Sequence, residues 1–360
     1  MADHNAPMAH GGLLAEEMGA LGVYAADVLD VSVNVNPYGP CPSVRRAIAD
    51  AAIERYPDPS AAPAKRALAD HVGVDPGRVI VGNGAVDLLW ILARATLRPG
   101  ERAMVVEPAF SEMRLAAVRA GASIVEYRTR PENHFAVDLG ALEVAIRETR
   151  PRLVYLCTPS NPAGVGVSVR DVSDLAERNP QVLFVVDISF LSLSERNAEA
   201  DVAPPESIMS VRSLTKDFAL AGLRVGYAVA APPLVDLLES HRPPWSVNAL
   251  AQAAAVATTT AEASRFVAES RERWLADRAA LTSALGDLCL RVHPSETVYL
   301  LADLGDRRRA TELRDRLLQR QRVLVRDATS FGLPHHIRIG ARAQRDLERL
   351  VGALQRELQP

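Results

Sequence analysis

The chain has 360 residues, with 41 Lys plus Arg against 44 Asp plus Glu, a net charge of −3 and 48% hydrophobic residues. At about 150 residues per domain this length predicts two domains, and the balanced charge argues against a dedicated nucleic-acid binder and a disordered acidic tail. No apolar run approaches the roughly 20 residues of a membrane helix, no basic-then-apolar leader is visible, and Cys41, Cys157 and Cys289 form neither a disulfide framework nor a metal spacing. The expectation is a reduced, cytoplasmic, enzyme-sized protein with no metal, membrane or nucleic-acid partner.

In chain order, a short strand over 78–81 runs through Gly82-Asn83-Gly84 into an apolar helix over 86–97, closed by Pro99-Gly100. A strand over 103–106, a helix near 111–120, and strands over 153–157 and 183–186 follow. Short apolar runs bounded by turn residues, with helical patterns between them, predict an α/β fold whose mostly parallel sheet is covered by helices on both faces. Past Arg242-Pro243-Pro244 the pattern changes to long amphipathic helices over 250–285. Then come a strand at 297–301, a helix near 310–319, strands near 323–325 and 336–339, and a final helix over 344–358. This reads as a smaller α+β domain. The predicted division is an N-terminal arm and part of the small domain over 1–44, a large domain over 45–243 and a small domain over 244–360.

The segment SLTKDFALAGLRVGY (213–227) places Lys216 among small polar residues, with Arg224 eight positions on. A lysine amine can hold the aldehyde of pyridoxal 5'-phosphate (PLP), and serine and guanidinium groups can hold its phosphate. Lys216 alone would read as a solvated surface residue; the whole string carries the argument. Asp187 follows the apolar run 183–186, so it falls at the carboxyl end of a strand, where ligands bind. There it can pair with the protonated pyridine nitrogen, or cap the next element. Gly84 and Ala85 open a helix after a strand, where backbone N–H groups can meet a phosphate; by themselves they are only a turn. Asn161 follows the 153–157 strand and can bond the ring oxygen. Phe110 follows the 103–106 strand and can stack on the ring, although a single aromatic there reads more readily as core. His335 and His336 are adjacent, so on a strand their rings point to opposite faces and do not share a metal.

This ordered set resembles the fold type I, aspartate-aminotransferase-like PLP enzymes over nearly the whole chain. Within them the strings His10-Gly11-Gly12, VNVNPYG (33–39), ERYPD (54–58), LCTPSNPAG (156–164), VRSLTK (211–216) and PWSVNAL (244–250) most resemble L-threonine-O-3-phosphate decarboxylases of cobalamin biosynthesis. Histidinol-phosphate aminotransferases come next. The resemblance implies that Lys216 and Asp187 are catalytic. It also implies that Gly84, Ala85, Phe110, Asn161, Ser213 and Arg224 bind the cofactor, and that Tyr56 reaches the cofactor phosphate of a second subunit in a homodimer. By the same resemblance His10, Asn36, Arg326 and Arg338 bind an anionic amino-acid substrate.

The chain departs from the family pattern at Leu13, Ser160, Ile188 and Val298, and Phe190 stands where many members carry a phenol. These positions bear on the substrate more than on the cofactor. The leading expectation is decarboxylation of L-threonine O-3-phosphate to an aminopropanol phosphate. The alternative is transamination of histidinol phosphate or a related anionic amino acid. A catalytically silent PLP-fold module is a third reading, opposed by the presence of Lys216 and Asp187.

Overall fold

The computed structural model describes residues 10–200, 202–305 and 309–358. The chain divides into two compact units. One comprises Val35–Asn161 and Val165–Glu272; the other comprises the described parts of Met1–Asn34 and Arg273–Pro360 together with Pro162–Gly164. These cut points differ from 44/45 and 243/244. The helix Ala249–Ala257 packs on the helices Pro42–Ala49 and Ala62–Val72, so the stretch after Arg242-Pro243-Pro244 counts with the larger unit. No helix among the described residues is long and apolar enough to cross a membrane.

The first strand, β1 (Leu29–Asp30), belongs to the smaller unit. The next seven form the sheet of the larger unit: β2 (Val79–Gly82), β3 (Arg102–Glu107), β4 (Ser123–Arg128), β5 (Leu153–Cys157), β6 (Leu183–Asp187), β7 (Ile208–Ser213) and β8 (Gly226–Val229). Their spatial order is β2-β8-β7-β6-β5-β3-β4. β7, β6, β5, β3 and β4 run parallel, whereas β8 is antiparallel to both β7 and β2. The alternation along the strands explains why both faces are covered. Val105, Tyr155 and Val185 enter one apolar core with the helices Ala85–Thr96 and Glu112–Arg119, while Met104, Val154, Leu156, Phe184 and Val186 enter another with Leu139–Thr149 and Val169–Arg178. A strand whose two sets of side chains are both apolar is stable only between two such layers.

The smaller unit contains β9 (Arg291–Val292), β10 (Tyr299–Asp303), β11 (Val323–Leu324), β12 (Arg326–Asp327) and β13 (His336–Gly340). Four of them form an antiparallel sheet in the order β12-β13-β10-β9, while β1 pairs in parallel with β11. The single strand expected near 323–325 is therefore two short ones serving different sheets. The helix expected near 310–319 is α-helical over Ala310–Arg316 and widens to a π-turn over Leu317–Gln321. The closing helix, Gln344–Leu358, has the expected bounds.

Candidate active site

Of the residues expected to hold a cofactor, Asn161, Asp187, Ser213 and Lys216 lie at the carboxyl ends of β5, β6 and β7 of the larger unit. Asp187 ends β6 and is buried. Its Oδ1 accepts from the Ser189 N–H at 2.9 Å and its Oδ2 accepts from the Tyr155 hydroxyl at 3.1 Å. Burial pushes the Asp187 carboxyl above its ordinary pKa, and the bonds from Ser189 and Tyr155 and the charge of Lys216 oppose that rise. A buried carboxylate in this state is completed by a cationic N–H partner. Asp187 does cap the turn that follows, through the Ser189 N–H, and its burial leaves it suited to a cationic partner as well.

Lys216 lies in the turn after β7 and is half-buried. Its Nζ stands 6.0 Å from the centroid of the Phe190 ring, the outer range for a cation over an aromatic face. The turn is anchored from below. Asp217 is buried and pairs with Arg212 at 3.3 Å and Ser192 at 3.0 Å. Asn36 donates its backbone N–H to the Lys216 carbonyl at 2.9 Å and its side-chain amide to the Asp217 carbonyl at 2.8 Å. The amide expected to meet substrate is therefore engaged in holding the lysine loop.

The phosphate end is built by register. Ser213 on β7 lies opposite Gly226 on β8, which lies opposite Gly82 on β2. Two residues past Gly82, Gly84 has φ 88° and ψ 160° and caps the helix Ala85–Thr96, a conformation closed to residues with a Cβ. A Cβ on Gly84 would stand 2.9 Å from Arg224 Nη2, and one on Gly226 would stand 2.7 Å from the Ala85 nitrogen. Ser213 Oγ and Thr215 Oγ1 are 2.6 Å apart. The glycines let the start of the helix, β8 and the Arg224 guanidinium approach closely, and a helix N-terminus, two hydroxyls and a guanidinium are a donor set that fits a dianionic phosphate.

Between the two ends, Phe110 packs half-buried on the core that contains Tyr155 and Cys157, and its backbone bonds the Cys157 thiol. Asn161 is half-buried in the loop after β5, whose first residue, Thr158, donates its N–H to the Asp187 carbonyl at 2.9 Å. Tyr56 is 80% exposed and packs its ring 4.9 Å from that of Trp245.

The smaller unit places the remaining expected residues around Ser32. Gly12 donates its N–H to Ser32 Oγ at 2.8 Å, and Arg338 Nη2 donates to the Ser32 carbonyl. A Cβ on Gly11 would stand 2.5 Å from that same carbonyl oxygen. The His-Gly-Gly turn bearing exposed His10 and the buried Arg338 thus meet at one residue. Arg326 on β12 is the cross-strand partner of Arg338 on β13. Burial, reinforced by Arg326, lowers the Arg338 guanidinium to a pKa of about 10, with Tyr299 and Asp30 opposing. Arg326 donates to Ser330 Oγ at 2.7 Å and lies over the Phe331 ring. Two buried guanidinium groups on neighbouring strands are a donor set suited to an anion.

Sequence reading missed Tyr155, Cys157, Ser189 and Thr215. The signal for the first two was present: Tyr155 and Cys157 are two apart on a strand, so they share a face, and both are polar in an apolar run.

The model of the family described as aminotransferase class I and II matches residues 26–356. Histidinol-phosphate aminotransferase 2 of Ralstonia nicotianae is 34% identical to the chain, over 98% of it and 95% of the relative. Among solved structures, histidinol-phosphate aminotransferase from Sinorhizobium meliloti, in complex with pyridoxal-5'-phosphate, superposes with a TM-score of 0.85 at 24% identity, covering 96% of this chain and 95% of that one. L-threonine-O-3-phosphate decarboxylase from Porphyromonas gingivalis does so with a TM-score of 0.80 at 26% identity, covering 92% and 100%. The motif strings ranked the decarboxylases first; whole-chain likeness favours the aminotransferases.

Proposed function

The chain belongs to the class I and II aminotransferase family of PLP-dependent enzymes, and from that premise we propose that it transfers the amino group of a phosphorylated, anionic amine or amino acid of the histidinol-phosphate type. The supporting observation is the whole-length likeness to histidinol-phosphate aminotransferases, which reverses the order in which the motifs set the two reactions.

In this reading PLP, when bound, supplies an electron sink for negative charge developing at the substrate Cα. Lys216 Nζ would hold the cofactor aldehyde and would carry the proton at the substrate Cα. The Asp187 carboxylate holds the proton on the pyridine nitrogen, with Tyr155 and Ser189 fixing its orientation. Gly84, Ala85, Ser213 and Arg224 hold the phosphate, Asn161 bonds the ring oxygen, and Phe110 packs on the ring. Arg326, Arg338 and His10 bind the anionic groups of the substrate and so choose which Cα bond is aligned for cleavage, a positioning effect. Tyr56 is assigned to the cofactor phosphate of a second subunit. Ile53, Tyr56 and Trp245 are exposed apolar residues of the larger unit, which supports a homodimer. A cytoplasmic location belongs to the same reading.

The test incubates PLP-loaded protein with L-histidinol phosphate and 2-oxoglutarate, and separately with L-threonine O-3-phosphate. Glutamate formation, with a cofactor band that shifts with donor and returns with acceptor, is the expected result. CO2 release from threonine phosphate without such a shift restores decarboxylation. Lys216→Ala abolishes turnover in either case, by at least about 10³-fold.

A further inference from the structure

Among the described residues, one group of metal-ligating side chains stands apart from the candidate active site: His293, Asp303 and His336. All three belong to the smaller unit. On β10, Asp303 lies opposite His336 of β13 and opposite Arg291 of β9. His293 follows Arg291 by two residues and donates its backbone N–H to the Leu301 carbonyl at 2.9 Å, so it returns to the same sheet face. His293 and His336 are 1% and 8% exposed. Their rings meet tip to tip, with Nε2 3.2 Å from Nε2 and planes inclined by 26°. One ligand atom from each of the three residues lies within 4.8 Å of the others. Asp303 is half-buried, which leaves one side of the group open to water.

We infer that His293, Asp303 and His336 form a site for a zinc-class divalent cation, bound through two imidazole Nε2 atoms and one carboxylate oxygen.

The spacing carries the inference. Two nitrogens held at about 2.0–2.1 Å by one tetrahedral zinc ion stand about 3.3–3.4 Å apart. The observed separation is 3.2 Å, so both rings accept the ion with almost no change of position. Without metal, the same separation lets the rings share a single proton; the cation takes that proton's place. The donor set of two imidazoles and a carboxylate suits zinc and its cobalt and nickel analogues and is poor for magnesium or calcium, which take oxygen ligands. One carboxylate and two neutral rings leave a single net positive charge, and the open side admits a water as fourth ligand. The site would clamp three adjacent strands, and His336 lies two residues along β13 from Arg338. Adjacency in sequence directed attention to His335 beside His336 and away from metal; the partner the fold supplies is 43 residues distant.

The test uses PLP-loaded protein freed of metal by chelator and dialysis, then titrated with ZnCl2 by calorimetry and with CoCl2 by visible absorption. The expected result is one ion per chain at micromolar affinity or tighter, visible d–d bands with cobalt, and a higher melting temperature with zinc. His336→Gln and Asp303→Asn should each weaken binding at least tenfold, with circular dichroism and the cofactor band unchanged. Asp303→Asn keeps the comparison valid if the buried histidine variant does not fold. Wild-type protein that binds zinc no more tightly than Asp303→Asn overturns the site. The readout is independent of the reaction catalysed.

Discussion

Tyr155 donates its phenol hydroxyl to Asp187 Oδ2 at 3.1 Å, and the Cys157 thiol donates to that phenol oxygen at 3.2 Å. All three residues are buried. Burial raises the Asp187 carboxyl above its usual range, and the Tyr155 bond is one of the interactions holding it down. The Tyr155 and Ser189 bonds favour the charged form of a carboxyl that burial alone would push further toward its neutral form.

Tyr155→Phe removes that donor without changing the packing. A hydrogen bond to a charged group contributes about 1.5–3 kcal/mol, so kcat should fall about tenfold or more. The Asp187 pKa rises further, so the acid limb of the pH–rate profile moves to higher pH. A variant with lower kcat and an unmoved acid limb would show that Tyr155 acts through packing alone.

Gly226→Ala should displace the helix start from β8 and so distort the proposed phosphate site. The added Cβ would lie 2.7 Å from the Ala85 nitrogen and 2.8 Å from the Arg212 carbonyl oxygen, both backbone atoms that cannot step aside. PLP affinity, followed by fluorescence or by the visible band, should drop at least tenfold. Unchanged affinity would place the phosphate elsewhere.

Gly11→Ala tests the smaller unit. Its Cβ would lie 2.5 Å from the Ser32 carbonyl oxygen, the oxygen that accepts from Arg338. The expected outcome is a raised KM for the anionic donor with an unaltered cofactor spectrum. A loss of cofactor with no change in KM would remove the His-Gly-Gly turn from the substrate side.

Arg212→Met leaves the buried Asp217 carboxylate with the Ser192 hydroxyl as its remaining side-chain partner. Removing one member of a buried pair costs about 3–5 kcal/mol. Burial already raises the Asp217 carboxyl, with Arg212 as the main opposition. A raised folded-state pKa means stability that is present below the unfolded value and lost as pH rises through the folded one. The deficit of the variant should therefore be larger at pH 8 than at pH 5 in urea melts. An equal deficit at both would trace it to lost packing.

The strands read over 153–157 and 183–186 were legible because parallel strands between two helical layers need apolar residues on both faces, which leaves unbroken runs such as Leu153–Cys157. β7 and β8 were not read. β7 carries Ser210, Arg212 and Ser213 in its span, which masks an apolar run, and β8 is only four residues long and starts at Gly226. Asp187 was placed by the apolar run before it, whereas Lys216, Ser213 and Arg224 were singled out from the string 213–227 itself and not from the strands beside it. The role of Asn36 was not legible, since its partners are the backbone of residues 216 and 217.

By itself the sequence determined the class of fold and the cofactor, and it nominated Lys216 and Asp187 to serve it, because apolar strand runs and the string around Lys216 are local patterns. The tertiary structure decided what pairing across strands decides. It set β8 antiparallel in the sheet and so lined up Ser213, Gly226 and Gly82. It joined the His-Gly-Gly turn to Arg338 through Ser32, and it turned His336 toward His293. Each of these relations joins residues distant in the chain, and hydrogen-bond register, which no local pattern records, is what brings them within reach.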